Sequence, residues 1–287
     1  MKIKAMRSEK EVLDLIVDVA KNDEDILAVM MSGSRANPDI PKDKYQDFDI
    51  TYFVKDIKPF YDNTEWIKKH FGEPLIMQMP EKIDLIPPMG DGHFTWLMIF
   101  DDGIRIDLSV EFEPYIDDGE PVKILLDKDG FFPKLKINDK HWHIKKPGAK
   151  HYYDCCNEFW WCLNNVAKGI IRDELPYAMN MYNCVVRPML DKMVEWYIGM
   201  NYDYSVFTGK DGKYFKKYLS FALYDKYMKT YSDSDYNNFW NSISNACDLF
   251  RFTAEGVAQE LNIAYNKNEE EAMIKYINMI KEDFYGK

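Results

Sequence analysis

"MSGSRANPDIPKDKYQDFDITYFV", Met31 to Val54, opens near the pair Gly33–Ser34 and closes on an apolar run that carries Asp47 and Asp49. A half-buried carboxylate is costly unless it is paired or binds a cation, and here two stand one residue apart. "DFDITYFV" alternates. A period of two predicts a strand with Phe48, Ile50, Tyr52 and Val54 on one face and Asp47, Asp49, Thr51 and Phe53 on the other. The preceding "DILAVMMSG" predicts a buried strand ending at a glycine. The stretch therefore reads as strand, Gly-Ser turn, strand, with two carboxylates side by side.

Downstream, "FTWLMIFDDGIRIDLSV" predicts a hairpin about Asp102–Gly103. In its second arm Arg105, Asp107, Ser109 and Glu111 share the polar face, so Asp107 adds a third carboxylate in mid-strand. Carboxylates this close repel one another unless a divalent cation joins them. Three of them offer hard oxygens, which suit Mg²⁺ rather than Zn²⁺. Gly33 lets backbone N–H groups approach a phosphate, and the Ser34 hydroxyl adds a donor. A phosphate cradle beside a carboxylate-held metal is equipment for phosphoryl or nucleotidyl transfer. Each piece also has a plainer explanation. Gly-Ser pairs are commonly turns, Asp-x-Asp can be a solvated edge, and Asp107 can pair with Arg105 or a lysine.

Ser8 to Glu11 has the form of a capping box, and Val12, Ile16 and Val19 predict a first helix running to about Lys21. "NTEWIKKHF" predicts a short helix capped by Asn63 or Thr64. From Glu113 to Gly148 prolines and glycines interrupt the pattern. After Ala149 four long helical segments follow, and Pro188 is expected to kink or split the second. The fold class is α+β: a mixed sheet flanked by helices over residues 1–147, then an α-helical bundle over 148–287. Lys168, Arg172, Asp173 and Glu174 cluster before Pro176, which by itself reads as a helix end followed by an acidic first turn. Trp160, Trp161, Trp196 and Trp240 read as core, and "GKDGKYFKK" as a solvated turn that could also face phosphates.

The 287 residues suit one large domain or two ordinary ones. The 46% apolar content provides a core, and mixed charges at 30% argue against disorder. A net charge of −11 opposes nucleic acid as a partner and favours a small cation, though it also fits plain solubility. The five cysteines lack zinc-ligand spacing and read as reduced, mostly buried thiols of a cytoplasmic protein. No signal-peptide core and no bilayer-length apolar run is present, so no membrane partner is expected.

Gly33–Ser34, Asp47-x-Asp49 and Asp107 resemble the pattern of the nucleotidyltransferase superfamily with the polymerase-β-like fold. Within it the chain resembles the aminoglycoside 6-adenylyltransferases (streptomycin adenylyltransferases). "GSRANP", "QDFDI", "RIDLSV", "IKKP", "EFWWC", "VAKGIIRDELPYA", "VRPML" and "GKDGKYFKKYL" carry that likeness over about residues 33 to 219. The resemblance implies AMP transfer from ATP, as co-substrate, to a hydroxyl of a cationic aminoglycoside. The acceptor would be the 6-position of streptomycin, with release of pyrophosphate and loss of the antibiotic's action. It further implies that Asp47, Asp49 and Asp107 hold Mg²⁺, and that Gly33, Ser34, Arg35 and Lys168 contact ATP phosphates. Asp107 could also orient the attacking hydroxyl. Glu174 is the expected base, with Asp173, Asp107 or Glu111 as alternatives, and the protein is expected to be a monomer. The rivals are a different small hydroxylated acceptor and a catalytically silent nucleotide-binding regulator. All three acidic positions are filled, which counts against silence.

Overall fold

Ser8 opens the first helix by the reciprocal bonding that its sequence predicts. Its Oγ accepts from the Glu11 N–H at 3.3 Å, while the Glu11 carboxylate accepts from the Ser8 N–H at 2.7 Å. The structure, a computed structural model, describes residues 5–38, 40–85, 92–112, 121–128, 130, 132 and 142–286. The chain divides into two units, Met1–Trp142 and His143–Lys287.

In the first unit, helix α1 (Glu9–Asn22) buries Val12, Ile16, Val19 and Ala20. Strand β1 (Ile26–Ser32), the single turn α2 (Gly33–Ala36) and strand β2 (Phe48–Val54) follow. Next comes α3 (Thr64–Phe71), whose first turn is capped by the Asn63 carboxamide accepting from the Trp66 N–H. Strands β3 (Ile76–Gln78), β4 (His93–Ile99), β5 (Arg105–Glu111) and β6 (Val122–Asp127) complete one sheet of order β3-β4-β5-β2-β1-β6. β2 and β5 run parallel and the other neighbours antiparallel, so the sheet is mixed. The fold class is α+β.

The alternation read for β2 is realised from Phe48 onward, while Asp47 stands just before the strand. Phe48, Ile50, Tyr52 and Val54 enter the larger core, while Phe53 joins Ala28, Met30, Val122 and Phe132 on the opposite face. Burying each such side chain contributes roughly 1.5–3 kcal/mol. The Tyr52 hydroxyl donates to the Ile16 carbonyl at 2.6 Å and fixes α1 to the strand. The expected hairpin turns at Asp102–Gly103, where Gly103 takes φ 82° and the Phe100 N–H donates to the Ile104 carbonyl. Asp102 is buried beneath it and accepts from Arg7 Nε at 2.6 Å. Strands β3 and β6 and the 3-10 turn Pro80–Lys82 are additions to the sequence reading. Glu113, Pro114, Gly119 and Pro133 lie outside the described residues.

The second unit is helical over its described residues. Ile144 belongs to its core and donates its N–H to Val206 at 3.0 Å, so this unit begins before Pro147. Its long helices are α4 (Ala149–Ile171), α6 (Arg187–Asn201), α9 (Tyr236–Glu260) and α10 (Lys267–Tyr285). The shorter α5 (Leu175–Met181), α7 (Phe215–Tyr218) and α8 (Phe221–Met228) lie between them. Phe159 stacks on Phe250 with centroids 3.8 Å apart. The division expected near Pro188 falls just before it: α5 ends at Met181, and α6 starts at Arg187 with Pro188 in its first turn. The wider π turn Tyr182–Val186 links α5 to α6 and absorbs the missing N–H. Trp160, Trp196 and Trp240 are core, whereas Trp161 is 65% exposed. Cys155, Cys156, Cys162 and Cys247 are buried thiols and Cys184 is exposed. Among the described residues, no helix is long and apolar enough to cross a membrane.

Candidate active site

The end of β1 and its neighbours set one row of residues across the sheet. Ser32 pairs with Asp49, and Asp49 pairs with Asp107 on the parallel strand β5. Immediately after Ser32, Gly33 takes φ 73°, a left-handed conformation that disfavours any Cβ. That residue reverses the chain into α2 and places the half-buried Ser34 just beyond the row. The parallel register puts Asp49 and Asp107 on adjoining strands with their side chains on the same face.

Arg105 supplies the positive charge among these carboxylates. It donates from Nε to Asp107 Oδ1 at 2.8 Å and from Nη2 to Asp107 Oδ2 at 2.6 Å, a bidentate pair. Its Nη1 also lies 3.4 Å from Asp47 Oδ2. The hydrogen bonds that Arg105 donates to Asp107, with the charges of Asp107, Asp47 and Asp49, hold the guanidinium above its ordinary pKa despite some desolvation. Among the described residues, no three His, Cys, Asp or Glu side chains are grouped as a ready ligand set. In this conformation Asp47 and Asp107 are drawn to the guanidinium. The donor chemistry nonetheless fits a hard divalent cation: carboxylate oxygens on adjoining strands, already arranged about a cation.

Arg35, one of the expected phosphate contacts, has its side chain turned inward. Its side chain is buried, with the guanidinium carbon 3.9 Å from the Phe48 ring centroid. It donates to the backbone carbonyls of Gln46 and Asp47 at 2.5 and 3.2 Å and lies 3.5 Å from Glu9. Arg35 thereby fixes the backbone that leads into Asp47 and Asp49.

Further along the same face a second polar cluster fills the β4–β5 ladder, where His93 faces Glu111. His93 Nδ1 bonds the Glu111 carboxylate, and Nε2 lies 3.2 Å from Glu81 Oε1. Thr95 Oγ1 lies 2.7 Å from His93 Nε2 and 2.9 Å from Ser109 Oγ, and the Thr95 N–H donates to Glu81 at 3.0 Å. Burial opposes charging of the imidazole, but Glu111 and Glu81 outweigh it and the pKa is raised. Glu111, one alternative for the base, is thus engaged by His93. The sequence reading passed over His93 and Glu81.

In the second unit, the half-buried Lys168 lies in the last turn of α4, and Arg172 caps that helix. Asp173 takes φ 60° and Glu174 φ −104°, so both belong to the turn between helices and not to a helix. Tyr236 Oη donates to Asp173 Oδ1 at 2.8 Å, and desolvation and that carboxylate push its pKa up to about 12. Glu174 is exposed, stands at the start of α5 and makes no side-chain capping bond. The turn is tight because Gly169 lets α5 approach: a Cβ there would stand 2.8 Å from that of Ala178.

Comparison with known proteins extends these observations to nearly the whole chain. The family model for streptomycin adenylyltransferase matches residues 6–280. An aminoglycoside 6-adenylyltransferase of Bacillus subtilis (strain 168) is 40% identical over 277 residues, covering 94% of this chain and 97% of its own. One from Campylobacter jejuni is 40% identical over 265 residues, covering 91% of each. A crystal structure of an aminoglycoside 6-adenyltransferase from Bacillus subtilis aligns over 96% of this chain and 99% of its own, at 36% identity and a TM-score of 0.48. With the Gly-Ser turn, the paired strand aspartates and a family match from residue 6 to 280, the chain belongs to the streptomycin adenylyltransferase family.

Proposed function

We propose that this protein transfers AMP from ATP to a hydroxyl of an aminoglycoside, with the 6-position of streptomycin as acceptor, inactivating the antibiotic. One observation carries the reading: the row Ser32, Asp49, Asp107 beside the left-handed Gly33, in a chain of this family. Asp47, Asp49 and Asp107 would hold Mg²⁺, which when bound offsets the charge of the triphosphate. The Gly33 N–H and the Ser34 hydroxyl would meet phosphate oxygens, and Lys168 would add a cation. We place the protein in the cytoplasm as a monomer.

The acceptor oxygen forms a bond to the α-phosphorus as the bond from that phosphorus to the bridging oxygen breaks. Pyrophosphate departs with the electron pair. The hydroxyl proton passes to a carboxylate, a transfer typically contributing roughly 10²–10⁴-fold. Glu174 is the proposed base, because Asp173 is already an acceptor for Tyr236. The test is incubation with ATP and a panel of aminoglycosides and neutral sugars, read by mass spectrometry. Streptomycin should gain one AMP for each pyrophosphate released. Transfer to a neutral sugar in preference, or to nothing, would sink the reading.

A further inference from the structure

The carboxylate row carries its own cation. Arg105 is fixed to Asp107 by two hydrogen bonds of 2.8 and 2.6 Å and reaches Asp47 at 3.4 Å. Its side chain is 43% exposed, so the guanidinium can leave towards solvent without opening the core. Nothing comparable holds for Arg35, whose guanidinium is buried between Phe48 and two backbone carbonyls. Two arginines near one site therefore differ in kind: one is locked into the fold, the other is a counter-ion at the surface.

We propose that Arg105 is a built-in substitute for the metal. It partly offsets the charge of Asp47 and Asp107 in the metal-free protein and is displaced from them when a divalent cation binds. A divalent ion on the oxygens that hold the guanidinium fork meets a like charge at close range, so the two cations compete. The competition keeps the like-charged row from repelling itself open between turnovers. It also weakens metal binding by the strength of the pair, a partly exposed one worth a modest factor. The inference rests on the proposed role of Asp47, Asp49 and Asp107, and its test separates the two.

The full-length protein is titrated with Mn²⁺, without nucleotide, following free Mn²⁺ by electron paramagnetic resonance. Arg105→Gln should bind Mn²⁺ roughly fivefold more tightly than the unmodified protein. Loss of a nearby positive charge alone would also tighten binding, so a second measurement reads the side chain itself. In ¹⁵N-arginine-labelled unmodified protein, the Arg105 Nε–H signal, assigned by its loss in Arg105→Lys, should shift and exchange faster with water at saturating Mg²⁺. An Arg105 signal unchanged at saturation overturns displacement, as does unaltered affinity in Arg105→Gln. If Asp49→Asn binds Mn²⁺ as well as the unmodified protein does, the metal reading itself falls, and the inference with it.

Discussion

Asp49 and Arg35 lie within one turn-and-strand segment, yet replacing them should fail in opposite ways. Asp49 sits in a row of acids whose mutual repulsion is only partly offset by Arg105. Asp49→Asn removes one charge of that row while keeping shape. It should reduce turnover by orders of magnitude and leave the metal-free melting temperature equal or slightly higher. Melting with and without Mg²⁺-ATP, beside a turnover assay, checks both halves, and full activity would remove Asp49 from the mechanism. Arg35→Ala should instead cost about 2–3 kcal/mol of folding stability, because two backbone carbonyls and a stacked ring lose their partner. Denaturant unfolding would show it, with ATP affinity of the folded fraction little changed. Glu174→Gln distinguishes a base from a clamp: kcat falls with ATP binding intact if the proposed role holds, whereas a rise in KM alone would indicate acceptor binding.

The β4–β5 hairpin shows what was legible in the sequence and where legibility ended. A turn at Asp102–Gly103 fixes the register of both arms, so the pairing of His93 with Glu111 was implicit once the turn was recognised. The parallel pairing of β2 with β5 has no connecting turn to set it, and the opposition of Asp49 and Asp107 emerges only from the folded sheet. Strand β6 was unread because its residues are mostly half-exposed and show no period of two. Helix α8 was unread because only Tyr227 is buried and Phe221 is 89% exposed, leaving no apolar stripe. The acids of the candidate site were readable from residue type, but nothing in the local sequence reveals that Arg35 turns inward and Arg105 outward. The hairpin cluster also makes a pH prediction. The His93 pKa is raised above its ordinary 6.5, burial opposing the shift and Glu111 and Glu81 driving it. The folded state thus binds the proton more tightly than the unfolded chain. The stabilisation is complete below the unfolded value and is lost as pH rises through the folded one. Unfolding free energy should therefore fall from pH 6 upward in the unmodified protein more than in His93→Gln. Parallel pH profiles of the two proteins would remove His93 as the cause.

The division into two units with separate cores leaves charge as a property shared along the whole chain. The net charge is −11 and acidic residues outnumber basic ones, 48 to 37. A surface of this kind repels polyanions and gathers cations, yet the reaction proposed here needs both ATP and a cationic acceptor. On the proposed reading, ATP is received by local positive groups, among them the backbone N–H groups after β1 and a divalent ion. For the proposed cationic acceptor the overall field acts in the favourable direction. Attraction between exposed charges is screened over about 10 Å at 0.1 M salt and about 3 Å at 1 M. Streptomycin affinity should accordingly weaken by roughly tenfold or more across that range. Calorimetric titration of streptomycin in KCl series measures it, with MgCl₂ held constant so that metal occupancy does not vary. A neutral glycoside serves as reference, since its affinity should stay nearly flat. If streptomycin binding is flat as well, the acceptor is recognised by shape and hydroxyl bonding instead of charge, and the case for a cationic acceptor loses its electrostatic support.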